Sequence, residues 1–150
     1  MRLIIIRLGE LQVSKDAEAV LATDSLGSCI AVTLYDPVAR VGGLIHVQLA
    51  EFGGERGSLH ADHDVPKLLE ETCRQGGKKD RLVVRIAGGA QAVSGKKNYL
   101  AVRKSLWKLG VILQGEAVGG TAERTVRLEV ATGKCWLAEL GHAEQELVPA

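Results

Sequence analysis

The sequence is poor in aromatic residues, proline and cysteine. Only 3% of its 150 residues are aromatic, and it has three prolines and three cysteines. So few scattered rings do not make a stacking platform for nucleobases or sugars. Three cysteines are too few, and odd in number, for a disulfide scaffold. The aromatic residues are Tyr35, Phe52, Tyr99, Trp107 and Trp136.

Long apolar runs and a strong net charge are also missing. The apolar run at residues 3–6 is closed by Arg7, so it is too short for a signal peptide or a membrane-spanning helix. Nineteen basic residues nearly balance eighteen acidic ones, and a net charge of +1 excludes a wholly basic nucleic-acid binder. We therefore expect a cytoplasmic protein with reduced thiols that neither binds nucleic acid nor inserts into a membrane.

The composition is that of one folded domain. Hydrophobic residues make up 46% of the chain and charged residues 25%, which excludes a disordered or fibrous protein. We expect residues 1–150 to form a single domain whose polar C-terminal stretch, 141–150, is frayed. Apolar or alternating segments predict eight strands. They are residues 3–7, 19–23, 29–35, 44–49, 82–87, 111–114, 125–130 and 134–140.

Two segments repeat apolar residues at helical spacing. One stripe runs through residues 65–73, with Gly76 after it, and the other runs through residues 99–109 and is closed by Gly110. Many strands with two interspersed helices indicate an α/β or α+β domain in which helices cover a sheet.

Charge is unevenly distributed along the chain. Residues 1–75 carry a net charge of −4 and residues 76–150 a net charge of +5. Between residues 78 and 108, nine basic residues face a single acidic residue, Asp80. A solvated helix face with loops accounts for this excess, and the alternative is a patch that attracts an acidic partner.

The segment TDSLGSC at residues 23–29 places a cysteine where a loop of small residues enters an apolar strand. Backbone N–H groups around Gly27, Ser28 and Cys29 have no bulky neighbours in the sequence, and such groups can stabilise an oxyanion. A single cysteine among glycine and serine is, however, more often a small buried hydrophobe. From this segment alone, both interpretations of Cys29 stay open.

Strand alternation favours a reactive role for Cys29. The even positions of strand 29–35 are aliphatic, which places Cys29 on the opposite face. His46 likewise lies opposite the aliphatic face of strand 44–49. A hairpin in which paired residue numbers sum to about 77 sets Ala31 opposite His46 and Gln48 opposite Cys29. Cys29 and His46 are then diagonal neighbours about 7–8 Å apart, so the imidazole can activate the thiol. A purely structural histidine is the alternative.

A second group of polar residues precedes the first predicted helix. His60, Asp62, His63 and Asp64 could ligate a metal, but carboxylates at a helix start also cap its first turn. No further Cys/His cluster supplies the spacing of a zinc site. We therefore expect capping and solvation here, and no metal.

The other two cysteines and a glycine pair are weaker candidates for a functional site. Cys73 lies on the apolar stripe of the first helix and Cys135 in a strand beside Trp136, so we expect both thiols to be packed in the interior. The segment GGA at 88–90 follows a strand, but no dinucleotide or P-loop pattern follows it, which argues against a phosphate site.

Six short motifs follow one another along the chain. They are LGSCIAV at 26–32, YDP at 35–37, GGLIH at 42–46, IAGGA at 86–90, VGGT at 118–121 and ATGK at 131–134. In sequence and order they resemble the motifs of the CheD family, the chemoreceptor glutamine deamidases of bacterial and archaeal chemotaxis, with LGSCIAV matching the signature around the family's cysteine. The resemblance extends from about residue 9 to residue 140.

The resemblance implies a catalytic triad. In it, Cys29 is the nucleophile, His46 is the general base, and Thr23 supplies a hydroxyl that orients the imidazole. The backbone at Gly27 and Ser28 is expected to support the oxyanion. Substrate or partner contacts are expected at Gln48, Gly88, Gly89 and Asn98.

The resemblance also implies a fold and an activity. The fold is a three-layer α/β/β sandwich similar to the catalytic domain of the cytotoxic necrotising factor toxins. The reaction converts glutamine side chains of methyl-accepting chemotaxis receptors to glutamate through a thioester, releases ammonia, and needs no metal or organic cofactor. Many members bind a CheC-type phosphatase, which is therefore an expected partner.

The sequence departs from the family pattern in places. Ala50 follows Leu49 where the family usually has proline, the loop after residues 88–90 is short, and SGKKN at 94–98 replaces an IGxRN pattern. These changes concern docking of substrate and partner, since loops near a site control access. A non-catalytic regulator that binds a receptor or a phosphatase is the alternative function, and Cys29→Ala distinguishes the two.

Overall fold

The computed structural model describes residues 1–48 and 61–149, apart from the side chains at positions 62 and 92. This part of the chain contains ten strands, two α-helices and a short 3₁₀ turn at Lys79–Arg81. None of its helices is long and apolar enough to cross a membrane. The strands are β1 (Arg2–Ile6), β2 (Leu11–Ser14), β3 (Ala19–Thr23), β4 (Ile30–Asp36), β5 (Val41–Val47), β6 (Val83–Gly88), β7 (Leu113–Val118), β8 (Arg124–Glu129), β9 (Cys135–Glu139) and β10 (Gln145–Glu146), and the helices are α1 (Ala61–Arg74) and α2 (Ala92–Leu109).

A five-stranded sheet in the order β2-β5-β4-β6-β7 forms the middle layer. β4 pairs antiparallel with β5 and β6, and β6 pairs parallel with β7. Every residue of β4 and β5 is buried because both faces of the sheet are covered. On one face, the aliphatic side chains of Ile30, Val32 and Leu34 pack with Leu68 of α1 and Val102 of α2.

A second five-stranded sheet, in the order β1-β3-β8-β9-β10, covers the other face. Ala31, Leu44 and Ala87 of the middle sheet lie in one core cluster with Leu21 and Leu128 of the second sheet. The layers are therefore helices, sheet and sheet, and the predicted α+β fold is confirmed.

The helices extend beyond the apolar stripes that predicted them. α1 begins four residues before Val65, and α2 begins seven residues before Tyr99. The C-terminus of α2 is where the sequence placed it. Gly110 adopts a left-handed conformation (φ 73°), and its N–H donates to the carbonyls of Leu106 and Trp107. Glycine suits that position because a side chain is strained there.

Two strands are absent from the prediction. β2 is a four-residue strand in which only Val13 is buried, so it carries little hydrophobic signal. β10 overlaps the tail expected to be frayed at 141–150, and that expectation does not hold for residues 144–147. Gln145 and Glu146 pair with β9, the Leu147 N–H donates to Cys135, and Glu144 forms an ion pair with Arg127 at 2.7 Å. The pairing uses backbone groups, which a polar sequence does not reveal.

A buried carboxylate fixes the turn between β4 and β5. Asp36 accepts hydrogen bonds from the N–H groups of Val38, Ala39 and Lys78 and from the guanidinium of Arg81, at 2.8–3.1 Å. Burial acts to raise the pKa of Asp36, but these bonds outweigh it and hold the pKa at about 2. The carboxylate thus ties the hairpin to the chain that leads into β6.

Candidate active site

The segment at residues 24–29 connects the two sheets, since β3 belongs to one and β4 to the other. Leu26 is fully buried and forms an antiparallel bridge with Arg124 of the second sheet. The carbonyl of Gly27 accepts from the Ala90 N–H, and the carbonyl of Cys29 accepts from the Gly89 N–H, both at 2.9 Å. The backbone that carries the thiol is therefore held by both sheets.

The pairing of β4 with β5 has the register that the sequence predicts. Ala31 lies opposite His46, and Ile30 lies opposite Val47. Cys29 precedes the strand by one residue, and its Sγ donates to Oε1 of Gln48 at 3.7 Å. Cys29 and His46 share the face that turns toward the second sheet, because Ile30 and Val47 point to the helices. Among the residues that the structure describes, no hydrogen bond joins Cys29 to His46.

His46 is held by its Nδ1 atom. The side chain is 4% exposed, and Nδ1 lies 3.4 Å from the Ile6 carbonyl oxygen and 3.3 Å from Oδ1 of Asp24. Both neighbours are acceptors, which favours a proton on Nδ1 and leaves the Nε2 lone pair available. This is the tautomer that a general base needs.

Thr23, the residue expected to orient the imidazole, lies at the end of β3. It is buried, and its Oγ1 accepts a hydrogen bond from the Val126 N–H at 3.1 Å. Among the residues that the structure describes, no hydrogen bond joins Thr23 to His46, and the carboxylate of Asp24 and the carbonyl of Ile6 are the groups at Nδ1. The orienting role of Thr23 stays a prediction.

Burial shifts the titration of both central residues. It raises the pKa of the Cys29 thiol, and the negative charge of Asp24 raises it further. Burial lowers the pKa of His46, although the Ile6 carbonyl, Asp24 and Glu10 act in the opposite direction. A neutral thiol beside a neutral imidazole is thus the favoured state at neutral pH.

The glycine pair after β6 packs against the backbone of Cys29. Gly88 has a φ of +110°, and a Cβ built on it would lie 2.2 Å from the Cys29 carbonyl oxygen. Gly89 has a φ of +65° and donates its N–H to that same oxygen. Only glycine fits at position 88, since any side chain would displace Cys29. The predicted contact of these glycines with substrate stays a prediction.

A cavity of about 290 Å³ opens next to this glycine pair. Gln91 stands at its edge with a φ of 74°, which is unusual for a residue with a side chain, and precedes α2. Its lining residues are Gly89, Gln91, Lys96, Tyr99, Val118, Gly119 and Gly120.

The two polar side chains that were expected to contact a substrate or partner differ in their exposure. Gln48 is partly exposed beside the thiol and stays a candidate for contact. Asn98 is fully buried. Its Nδ2 donates to the carbonyl of Ser28 at 2.8 Å. The amide therefore serves the backbone of the cysteine loop, and the expected contact of Asn98 with a substrate or partner stays a prediction.

The remaining candidates lie away from this site or outside the described residues. Cys135 is buried as expected, and burial raises the pKa of its thiol to about 11. Cys73 is exposed, which corrects the expectation that it is packed, because it lies at the edge of the helical stripe. His60 and the side chain of Asp62 lie outside the described residues. Nδ1 of His63 contacts Asp64 at 3.2 Å, and the described part of the chain contains no acidic, histidine or cysteine cluster that could hold a metal.

Two residues of the site have no clear signal in the sequence. Asp24 is the one carboxylate in the segment at 23–29, and its position next to Thr23 could have suggested a role. Arg124 is 8% exposed and donates from Nη1 to the carbonyls of Gly88 and Gly119. Its backbone pairs with Leu26, so this arginine contacts both the loop that carries Cys29 and the glycine pair beside it.

Comparison of the sequence with known proteins points to one family. A family model described as CheD chemotactic sensory transduction matches residues 50–139. "Probable chemoreceptor glutamine deamidase CheD" of Solibacter usitatus is 47% identical over 100% of this chain and 96% of the relative. "Chemoreceptor glutamine deamidase CheD" of Thermotoga maritima is 39% identical over 94% of each chain. A relative from Pyrococcus abyssi with the same name as the first is 37% identical over 89% of each chain.

Proposed function

The chain belongs to the CheD family, and we propose that it is a cysteine-dependent deamidase of glutamine side chains in methyl-accepting chemotaxis receptors. The observation that carries this proposal is the β4–β5 register, which puts Cys29 and His46 on one face at the junction of the two sheets. The names of the relatives supply the reaction, and the Cys–His pair supplies a chemistry suited to it.

In the proposed reaction, Cys29 Sγ attacks the carboxamide carbon of the glutamine while His46 Nε2 takes the thiol proton. The tetrahedral intermediate collapses, the C–N bond breaks, and His46 returns the proton to the departing ammonia. Water then attacks the thioester, with His46 again accepting a proton. The C–S bond breaks, and the products are a glutamate side chain and the regenerated thiol.

The electrostatics of the pair favour proton transfer during attack over a preformed ion pair. Burial disfavours both the thiolate of Cys29 and the imidazolium of His46. The imidazole is therefore in the form that accepts a proton at neutral pH, where general-base catalysis is effective. The Ile6 carbonyl, Asp24 and, as the family resemblance implies, Thr23 orient the ring.

The backbone of the cysteine loop is the proposed oxyanion site. The N–H groups of Ser28 and Cys29 make no hydrogen bond to another backbone group of the described residues. Gly27 leaves space beside them, since the nearest atom to a Cβ built there is 3.8 Å away. Such donors stabilise charge only where it develops in the transition state.

The exposed side of α2 is the proposed receptor-docking surface. Val93, Leu100 and Trp107 recur at seven-residue spacing, and their exposed fractions are 70%, 53% and 79%. Basic residues flank this row, so an acidic helical receptor segment complements it in charge and in apolar contact. The flanking residues are Lys96, Lys97, Arg103, Lys104 and Lys108. A CheC-type phosphatase is a second proposed partner, on the family resemblance alone.

The test is conversion of amide to acid in a cytoplasmic receptor fragment, measured by the 1 Da mass increase at each modified glutamine. The native protein is expected to convert glutamines, and Cys29→Ala is expected to convert none. Cys73→Ala is the matched control, because that thiol is exposed and lies on α1. An inactive native protein, or an active Cys29→Ala variant, would contradict the enzymatic function.

A further inference from the structure

A buried amide from α2 holds the peptide bond that precedes the nucleophile. Asn98 is 0% exposed, and its Nδ2 donates to the Ser28 carbonyl at 2.8 Å. The carbonyls on either side, those of Gly27 and Cys29, accept from backbone N–H groups after β6. Three consecutive carbonyls are thus fixed, and the middle one depends on a side chain.

Because the peptide bond is planar, this contact also fixes the direction of the Cys29 N–H. The Ser28 carbonyl and the Cys29 N–H belong to one planar trans unit, so they point in opposite directions. A carbonyl held toward Asn98 therefore turns the Cys29 N–H away from α2. Within the described residues, no backbone carbonyl accepts from this N–H.

We infer that Asn98 is a positioning residue for the oxyanion site: by holding the Ser28–Cys29 peptide, it directs the Cys29 N–H at the oxygen of the tetrahedral intermediate. The inference rests on the proposed function, since it assigns a role within that reaction. In this role Asn98 acts through the Ser28 carbonyl and not on the substrate, so it is not itself a catalytic residue.

Loss of the amide frees the peptide to rotate. The N–H then spends part of its time away from the oxyanion, and Ser28 O loses its partner. Removing a whole oxyanion donor costs about 10²- to 10³-fold in kcat. Because misorientation is a partial loss, we expect Asn98→Ala to lower kcat about 10- to 100-fold and to leave KM within about 2-fold.

Asn98→Asp supplies a signature that a merely structural role does not. A carboxylate cannot donate to the Ser28 carbonyl, whereas a protonated carboxyl can. The activity of this nearly isosteric variant, taken relative to the native protein, is therefore expected to rise as the pH falls. Ser105→Ala is the matched control, since Ser105 is a buried polar residue seven positions along α2. It is expected to keep native kcat.

Two reactions at Cys29 separate loss of the oxyanion site from general damage. Alkylation by iodoacetamide forms no oxyanion, so its rate at Cys29 is expected to be unchanged in Asn98→Ala. A peptide that carries an aldehyde in place of the glutamine carboxamide adds the thiol across its C=O: an S–C bond forms and the thiol proton passes to oxygen. Its affinity is expected to fall at least 10-fold in the variant.

The outcomes are distinguishable. Circular dichroism and the urea midpoint identify folded variants, and Asn98→Asp replaces Asn98→Ala if the latter does not fold. A folded variant with native kcat and native aldehyde affinity overturns the inference while the proposed function stands. Parallel loss of alkylation and kcat also overturns it, since the whole site is then disturbed. A native protein that neither deamidates the receptor fragment nor binds the aldehyde overturns the proposed function and this inference with it.

Discussion

Replacement of Asp36 by asparagine is expected to destabilise the fold strongly through the β4–β5 turn. The carboxylate is fully buried, accepts three backbone N–H groups, and pairs with Arg81, whose side chain is 30% exposed. Asparagine keeps one acceptor oxygen and turns an NH₂ group toward donors. Breaking a buried ion pair on one side costs about 3–5 kcal/mol. Since Arg81 reaches solvent, we expect about 3 kcal/mol, or a fall in Tm of about 6–12 °C at this chain length.

Urea unfolding at pH 7, followed by circular dichroism, measures this loss. Glu71→Gln is the control, because its partner Arg74 likewise holds the pKa of the Glu71 carboxyl at about 2, but on the exposed surface of α1. Exposed pairs contribute little to stability, so the control is expected to unfold close to the native midpoint. Equal midpoints for the two variants would refute the reasoning that burial decides the cost.

The contribution of Asp36 to the stability of the fold depends on pH. The pKa of Asp36 is about 2 when folded, against an ordinary value of 3.8, so the folded state favours the ionised form. Its contribution to stability is present above about pH 4 and is lost as the pH falls toward 2. The native protein and Asp36→Asn should therefore converge in stability between pH 4 and pH 2. A gap that stays constant over that range would contradict the assignment.

Three further predictions concern the site. Asp24→Asn removes a negative charge that raises the pKa of both Cys29 and His46, so both limbs of the pH profile of kcat/KM should move to lower pH. Of these two pKa values, Glu10 raises that of His46, so Glu10→Gln should leave the alkaline limb in place. Limbs that do not move in Asp24→Asn would contradict the electrostatics. Gly88→Ala should lower deamidation activity and the urea midpoint by more than Gly141→Ala does. Both glycines have a positive φ, but only Gly88 lies against Cys29. Similar losses in the two variants would argue against that clash. Iodoacetamide at neutral pH should label Cys73 before Cys29, because Cys73 is exposed and the pKa of the Cys29 thiol is raised. Mass spectrometry measures the order of labelling. Faster labelling of Cys29 would show a thiolate that the structure does not favour.

The shared face of Cys29 and His46 could be predicted because it depends on local rules. Alternation of apolar residues assigns each side chain to a face, and a short turn after Asp36 sets which residues lie opposite each other. A shift of one residue would have buried the wrong face, so the register was strongly constrained. The same rules supplied most strand positions, and they failed at β2 and β10, whose residues carry little apolar signal.

The surroundings of the imidazole could not be predicted in this way. The parallel pairing of β1 with β3 places Ile6 beside Thr23 and brings the Ile6 carbonyl to His46. These residues are far apart in sequence, and no periodic pattern records which strands of different sheets meet. The same holds for Asn98, whose hydrogen bond to the Ser28 carbonyl forms only once α2 docks on β4.

The sequence by itself determined the strand and helix pattern, the shared face of Cys29 and His46, and the family, because these reside in local order along the chain. Only the tertiary structure decided what surrounds that pair: Asp24 and Ile6 at the imidazole, Asn98 behind the cysteine loop, and the burial that moves both pKa values. Hydrogen-bond direction and desolvation are properties of atoms brought together across the fold, so they exist only after the sheets and helices have packed.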